Sequence, residues 1–179
     1  MRLSPNPIST LTGVHAREVL HVIGSGPSLA SLAPADIGPG PVVAINFAIR
    51  TVEKWDLPNP VYSLQKDMAF VTDPRAPILA HAKESGQDAG WLRPGDYLFD
   101  CELDFGIRLD TPSVVVCLHL AKLFECSAVE YWACDSFWGD FRSYDGQAVT
   151  LDQRANHYRF HPAMVRHTAI SLGMEMAVR

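Results

Sequence analysis

The chain has 179 residues, a net charge of −5 with its seven histidines counted neutral, and 47% hydrophobic against 20% charged residues. That length suits one domain with one core and no need of staples. The acidic balance argues against nucleic acid as a partner, because a phosphate backbone selects a basic face; a free nucleotide needs only a few backbone N–H groups. Cys101, Cys117, Cys126 and Cys134 form no CxxC pair and no zinc spacing with histidine, and most stand in or beside apolar runs, so they read as buried free thiols. No signal peptide and no run of about 18 to 20 apolar residues is present, so the expectation is a cytoplasmic protein with no membrane span.

In chain order, residues 1–17 are polar, carry Pro5 and Pro7, and read as a loose lead-in. Residues 19–23 (Val-Leu-His-Val-Ile) are a buried strand, and residues 24–28 a turn that opens a short helix over 28–32. Residues 42–47 (Val-Val-Ala-Ile-Asn-Phe) form a second strand with Asn46 at its C-terminal end, followed by a turn of helix over 48–54. Residues 61–64 are a third strand, leading into Gln65, Lys66 and Asp67. The next helix falls either over 68–71 or over 76–85. Residues 97–99 make a fourth strand, and 100–110 are irregular and acidic. Val114, Cys117, Leu118, Ala121 and Phe124 share a helical face within 113–124, with Thr111, Pro112 and Ser113 at its start. Residues 128–134 are a fifth strand ending at Asp135, 136–146 an aromatic loop, 152–172 a helix interrupted at Pro162 and capped by Gly173, and 174–178 an edge strand. This alternation predicts an α/β fold, a Rossmann-like three-layer sandwich with a mostly parallel sheet.

The chemistry concentrates at strand C-termini, where parallel sheets hold their ligands. Gly24-Ser25-Gly26-Pro27-Ser28-Leu29 follows the first strand. Its glycines let a bound group approach the backbone, and a helix starting at Pro27 and Ser28 would offer free N–H groups to an anion. The loop lacks the Gly-Lys-Ser/Thr ending of a phosphate-binding P-loop and the third glycine of the dinucleotide fingerprint.

This Gly-Ser-Gly-Pro-Ser-Leu segment resembles the Gly-Asn-Gly-Pro-Ser-Leu opening of bacterial CMP-sialic acid-dependent sialyltransferases and of a wider group that includes archaeal hydroxymethylpterin pyrophosphokinases. Asn46 resembles that group's nucleotide-contacting Asn, and Gln65 stands where a second Asn would be. Thr111-Pro112-Ser113 resembles Thr-Ser-Gly before a helix. Cys134-Asp135-Ser136-Phe137 resembles a strand ending in Asp-Phe, and His157 matches the histidine used as general base. The chain departs from that pattern at Ser25, at Ala133, where relatives often carry Gly, and at Pro112 and Ser113.

The resemblance implies a nucleotide-sugar-dependent glycosyltransferase. Gly24, Ser25 and Gly26 would cradle phosphate or ribose, with Pro27 and Ser28 opening the helix behind them. Asn46 and Gln65 would orient base and sugar, Thr111 and Ser113 would lie under the donor, and His157 would deprotonate the acceptor. Asp67 would accept from a hydroxyl, hold a metal or cap a helix, and Asp135 would contact the ligand or cap the next turn. Phe137 and Arg142, in the aromatic loop, would stack a ring and meet a phosphate, or else cover the core or a second copy. His157 and His161 are four residues apart but lack the glutamate of a zinc helix, and His21 and His119 read as core histidines. No Asp-x-Asp stands at a strand end, so no metal and no cofactor beyond the donor is expected. Two other readings stay open: a magnesium-dependent pyrophosphokinase acting on a pterin-like alcohol, and a nucleotide-binding accessory protein without catalysis.

Overall fold

The computed structural model describes residues 5–66, 71, 73–82, 91–135 and 160–179. Within them lie strands β1 (Asn6–Pro7), β2 (Val19–Ile23), β3 (Val42–Ile45), β4 (Val61–Gln65), β5 (Ile78–His81), β6 (Tyr97–Phe99), β7 (Ala128–Trp132) and β8 (Glu175–Val178). The helices are α1 (Ile49–Val52), α2 (Cys101–Phe105), α3 (Ser113–Leu123) and α4 (His161–Leu172). The strands form one sheet in the order β1-β6-β5-β4-β3-β2-β7-β8, and every pairing is parallel. From β2 the chain steps outward through β3, β4, β5 and β6, then returns to the other side of β2 as β7. The inner run β4-β3-β2-β7-β8 is the doubly wound order of a Rossmann-like fold, and β2 and β7 meet at its topological switch point.

Side-chain alternation along the strands builds two cores. Leu20, Val22, Val43, Leu64, Val129 and Tyr131 face α3 and α4. Ile23, Val42 and Ala44 face the other way, toward Leu29 and α1. All four residues of β3 are buried, as expected of a central strand covered on both faces. α3 is buried almost all round because the sheet lies on one side of it and α4 on the other.

Several expectations are corrected. Residues 78–81 are a strand, not part of a helix: Pro77 precedes them, all four are buried, and they pair between β4 and β6. The stretch read as irregular contains α2. Asp100 caps it by accepting from the Glu102 and Leu103 N–H groups, and Gly106 ends it at φ +66°. The lead-in is anchored from Asn6 onward, for β1 pairs with β6, and Ile8 and Leu11 enter the core. Pro162 stands in the first turn of α4, and the earlier part of the helix expected over 152–172 lies outside the described residues. Residues 68–70 and 136–159 lie outside the described residues.

A polar relay crosses the N-terminal end of the sheet. The His15 Nδ1 is 2.9 Å from Glu18 Oε2, and its Nε2 is 2.9 Å from Tyr62 Oη. A carboxylate only accepts, so Nδ1 carries the proton, and in neutral His15 the Tyr62 hydroxyl donates to Nε2. All four cysteines are free and buried, one more than the sequence predicts.

Candidate functional site

The switch point brings the glycine loop against the end of β7. The β2–β7 ladder continues past both strands: the Gly24 N–H donates to Trp132 O at 2.8 Å and the Gly26 N–H to Ala133 O at 2.9 Å. Space, not backbone freedom, requires these glycines. Gly26 has φ −72° and ψ 168°, open to any residue, but a Cβ there would lie 2.0 Å from Asp135 Oδ2. A Cβ on Gly24 would lie 2.5 Å from Ala133 O and 2.9 Å from Cys134 Sγ.

Pro27–Ala30 is a single 3-10 turn, shorter than the helix expected. The place expected for a ligand's anion at its start holds the protein's own carboxylate. Asp135 Oδ2 accepts from the Ser28 N–H at 3.1 Å and from its hydroxyl at 2.8 Å. The loop's N–H groups are therefore nearly all committed. Gly24 and Gly26 bond β7, Ser28 bonds Asp135, Pro27 has none, and only Ser25 has no acceptor among the described residues. Beneath the loop, burial pushes the Cys134 thiol up to about 12, while the adjacent Gly24 N–H pulls the other way. The thiol is neutral and unreactive there.

Left-handed residues flank the loop. Asn46 has φ +53° at the end of β3, and Ala133 has φ +51° just past β7. Asn tolerates this conformation. Ala133 gains nothing from it, so its strain is held by the surrounding structure, and such strain collects at functional sites. Asn46 Oδ1 is buried and has no hydrogen-bond partner among the described residues.

Gln65 takes a different place from the one expected. It is 1% exposed, and both ends of its amide are spent on the protein. Its Nε2 donates to Asn46 O at 3.0 Å and to Ser63 Oγ at 2.9 Å, and its Oε1 accepts from the Val71 N–H at 3.4 Å. Gln65 braces the Asn46 turn and has no group left for a ligand. Lys66, which sequence reading passed over, is 3% exposed and donates to Leu109 O at 3.0 Å. It ties the end of β4 to the segment that carries Thr111. A lysine directly after a buried strand was the only signal for it.

Thr111 and Ser113 are half-buried at the start of α3, whose first turn has no side-chain cap. The site therefore gathers the loop, Asp135 and Asn46 around β2, with Gln65 behind. Asp67, Phe137, Arg142 and His157 lie outside the described residues. His161 is buried at the start of α4, and His21 is buried on β2. His119, on α3, stacks near Phe105, and burial lowers its pKa. A separate open hollow of about 690 Å³ lies beside α1, between Arg50, Glu53, Asp73 and Arg75, and among the described residues none of the predicted ones lines it.

Among the described residues no helix is long and apolar enough to cross a membrane. Nor do any three His, Cys, Asp or Glu side chains among them group as metal ligands. No protein-family model matches the chain, and a search of curated proteins finds none that matches it.

Proposed function

We propose that the chain binds a nucleotide-activated sugar at the switch point, outside the ends of β2, β3 and β7, and transfers the glycosyl group to an acceptor hydroxyl. The observation that carries this reading is Asn46. A buried acceptor without a partner costs about 1–3 kcal/mol, a cost that a ligand's amine or hydroxyl would remove. Its left-handed backbone is braced by Gln65, which donates to the Asn46 carbonyl. The position agrees with the general placement of ligands at switch points of parallel sheets. The resemblance of the glycine loop supplies the donor class and gives His157 the role of general base.

The test is a thermal-shift panel of CMP, UDP, GDP and ATP on the whole chain, since a ligand of the folded state raises the melting temperature by mass action. One of them is expected to stabilise the protein; no shift with any would sink the reading. Asn46→Gly keeps the left-handed backbone and deletes the acceptor. It is expected to weaken the stabilising nucleotide about tenfold while leaving the ligand-free melting temperature unchanged or slightly raised, because relief of the unpartnered acceptor, about 1–3 kcal/mol, is offset by the backbone freedom glycine adds, about 1 kcal/mol. Donor turnover that survives a chelator separates glycosyl transfer from magnesium-dependent pyrophosphoryl transfer.

A further inference from the structure

The sequence predicts that the glycine loop cradles phosphate or ribose, and nearly all of its N–H groups are already occupied. Gly24 donates to the last residue of β7, Gly26 to Ala133 just past it, and Ser28 donates twice to Asp135 Oδ2. A phosphate entering here would meet a fixed carboxylate and a single uncommitted backbone N–H. Phosphate oxygens accept hydrogen bonds and carry the same charge as Asp135, so both terms oppose it.

What the loop end presents instead is acceptors. Asp135 Oδ1 makes no hydrogen bond among the described residues, and the carboxylate is held in place through its other oxygen. Asn46 Oδ1 is a second acceptor, buried and unpartnered. Asp135 follows β7 and Asn46 follows β3, on either side of β2, so two strand spacings, roughly 10 Å, separate their main chains, and the Asp135 carboxylate, reaching back to Ser28, stands within that span. A nucleoside matches that span: its hydroxyls and its base amine are donors at opposite ends.

Resting on the nucleotide reading above, we propose that Asp135 determines specificity at this site: it closes the glycine loop to phosphate and receives the vicinal hydroxyls of the ribose. The nucleotide thus lies with its ribose over the loop and its phosphate directed away from it.

The experiment is calorimetric titration of the whole chain with the four ribonucleoside 5′-monophosphates and their 2′,3′-dideoxy counterparts. Loss of both hydroxyls is expected to weaken binding by about tenfold or more, the scale of hydrogen bonds to a charged group. In Asp135→Asn the amide oxygen can still accept from Ser28, so the loop stays anchored. That variant is expected to bind the two forms within about twofold of each other, because with its oxygen on Ser28 the amide turns its NH2, a donor, to the ribose in place of the carboxylate oxygen that accepted from the hydroxyls. Equal binding of ribo and dideoxy forms by the unmodified protein would overturn the Asp135 assignment while leaving the nucleotide reading intact. So would an undiminished preference in Asp135→Asn. Failure of every ribonucleotide to bind overturns both.

Discussion

Gly26→Ala is expected to lower the unfolding free energy by about 3 kcal/mol, near the upper end for an added methyl in a packed site. The backbone at Gly26 would accept alanine, so the cost is steric. The new Cβ would lie 2.0 Å from Asp135 Oδ2 and 2.8 Å from Ala133 O. Asp135 can move only by releasing Ser28. Ala133 O is main chain and already accepts from the Gly26 N–H at 2.9 Å, so relief there means opening the ladder. Gly24→Ala meets the same obstacle at 2.5 Å. Gly106 provides the contrast: nothing lies within 4 Å of a Cβ there, and only its φ of +66° resists the change, at about 1 kcal/mol. Urea unfolding of Gly24→Ala, Gly26→Ala and Gly106→Ala would rank them. Gly26→Ala with Asp135→Ala is expected to recover part of the loss but not all of it, because Ala133 O remains. A Gly26→Ala protein as stable as the parent would mean that the loop is not packed on β7 as described.

That packing explains where sequence reasoning stopped. The branched runs before Gly24 and Asn46 were long enough and apolar enough to be read as central strands, and both are. The glycine loop was located correctly, but its occupancy was not legible. The groups that fill it belong to Ala133 and Asp135, 107 residues from Ser28 for the Asp135 contact, and no local pattern records that meeting. Gln65 followed the same logic: its place at a strand end was readable, but the inward turn of its amide is a tertiary choice made by Asn46, Ser63 and Val71. β5 was missed for a local reason. Ile-Leu-Ala-His contains one β-branched residue and two good helix formers, and a short apolar run does not distinguish the two states by period. α2 is a different case, since Asp100 and Gly106 were both present as start and stop signals. The acidic composition of 100–110 drew attention away from them. The N-terminal anchor rests on Ile8 and Leu11, isolated apolar residues whose burial depends on the distant β6.

Alkaline pH is expected to destabilise the fold, beginning above about pH 9. Burial, with smaller contributions from Tyr97, Glu18 and Cys126, pushes the Tyr62 phenol from its ordinary 10.0 up to about 12. Burial likewise pushes the Cys126 thiol from 9.0 to about 12, with Glu18 adding to it. Each group is neutral in the folded state through a range where the unfolded chain has already lost the proton. Between the two values the unfolded state binds fewer protons, so stability falls as pH rises. For Tyr62 the loss runs from about pH 10 to 12 and amounts to roughly 2–3 kcal/mol. The stability that these protonated groups support is complete below the unfolded values and is gone above the folded ones. Tyr62→Phe isolates the phenol. At pH 8 it should cost about 1 kcal/mol, because His15 Nε2 loses the hydroxyl 2.9 Å away. Above pH 10 its unfolding free energy should decline less steeply than the parent's, and the two curves should cross or converge. Parallel curves up to pH 12 would show that the Tyr62 phenol ionises as readily in the folded protein as in the unfolded chain, and that burial does not keep it protonated.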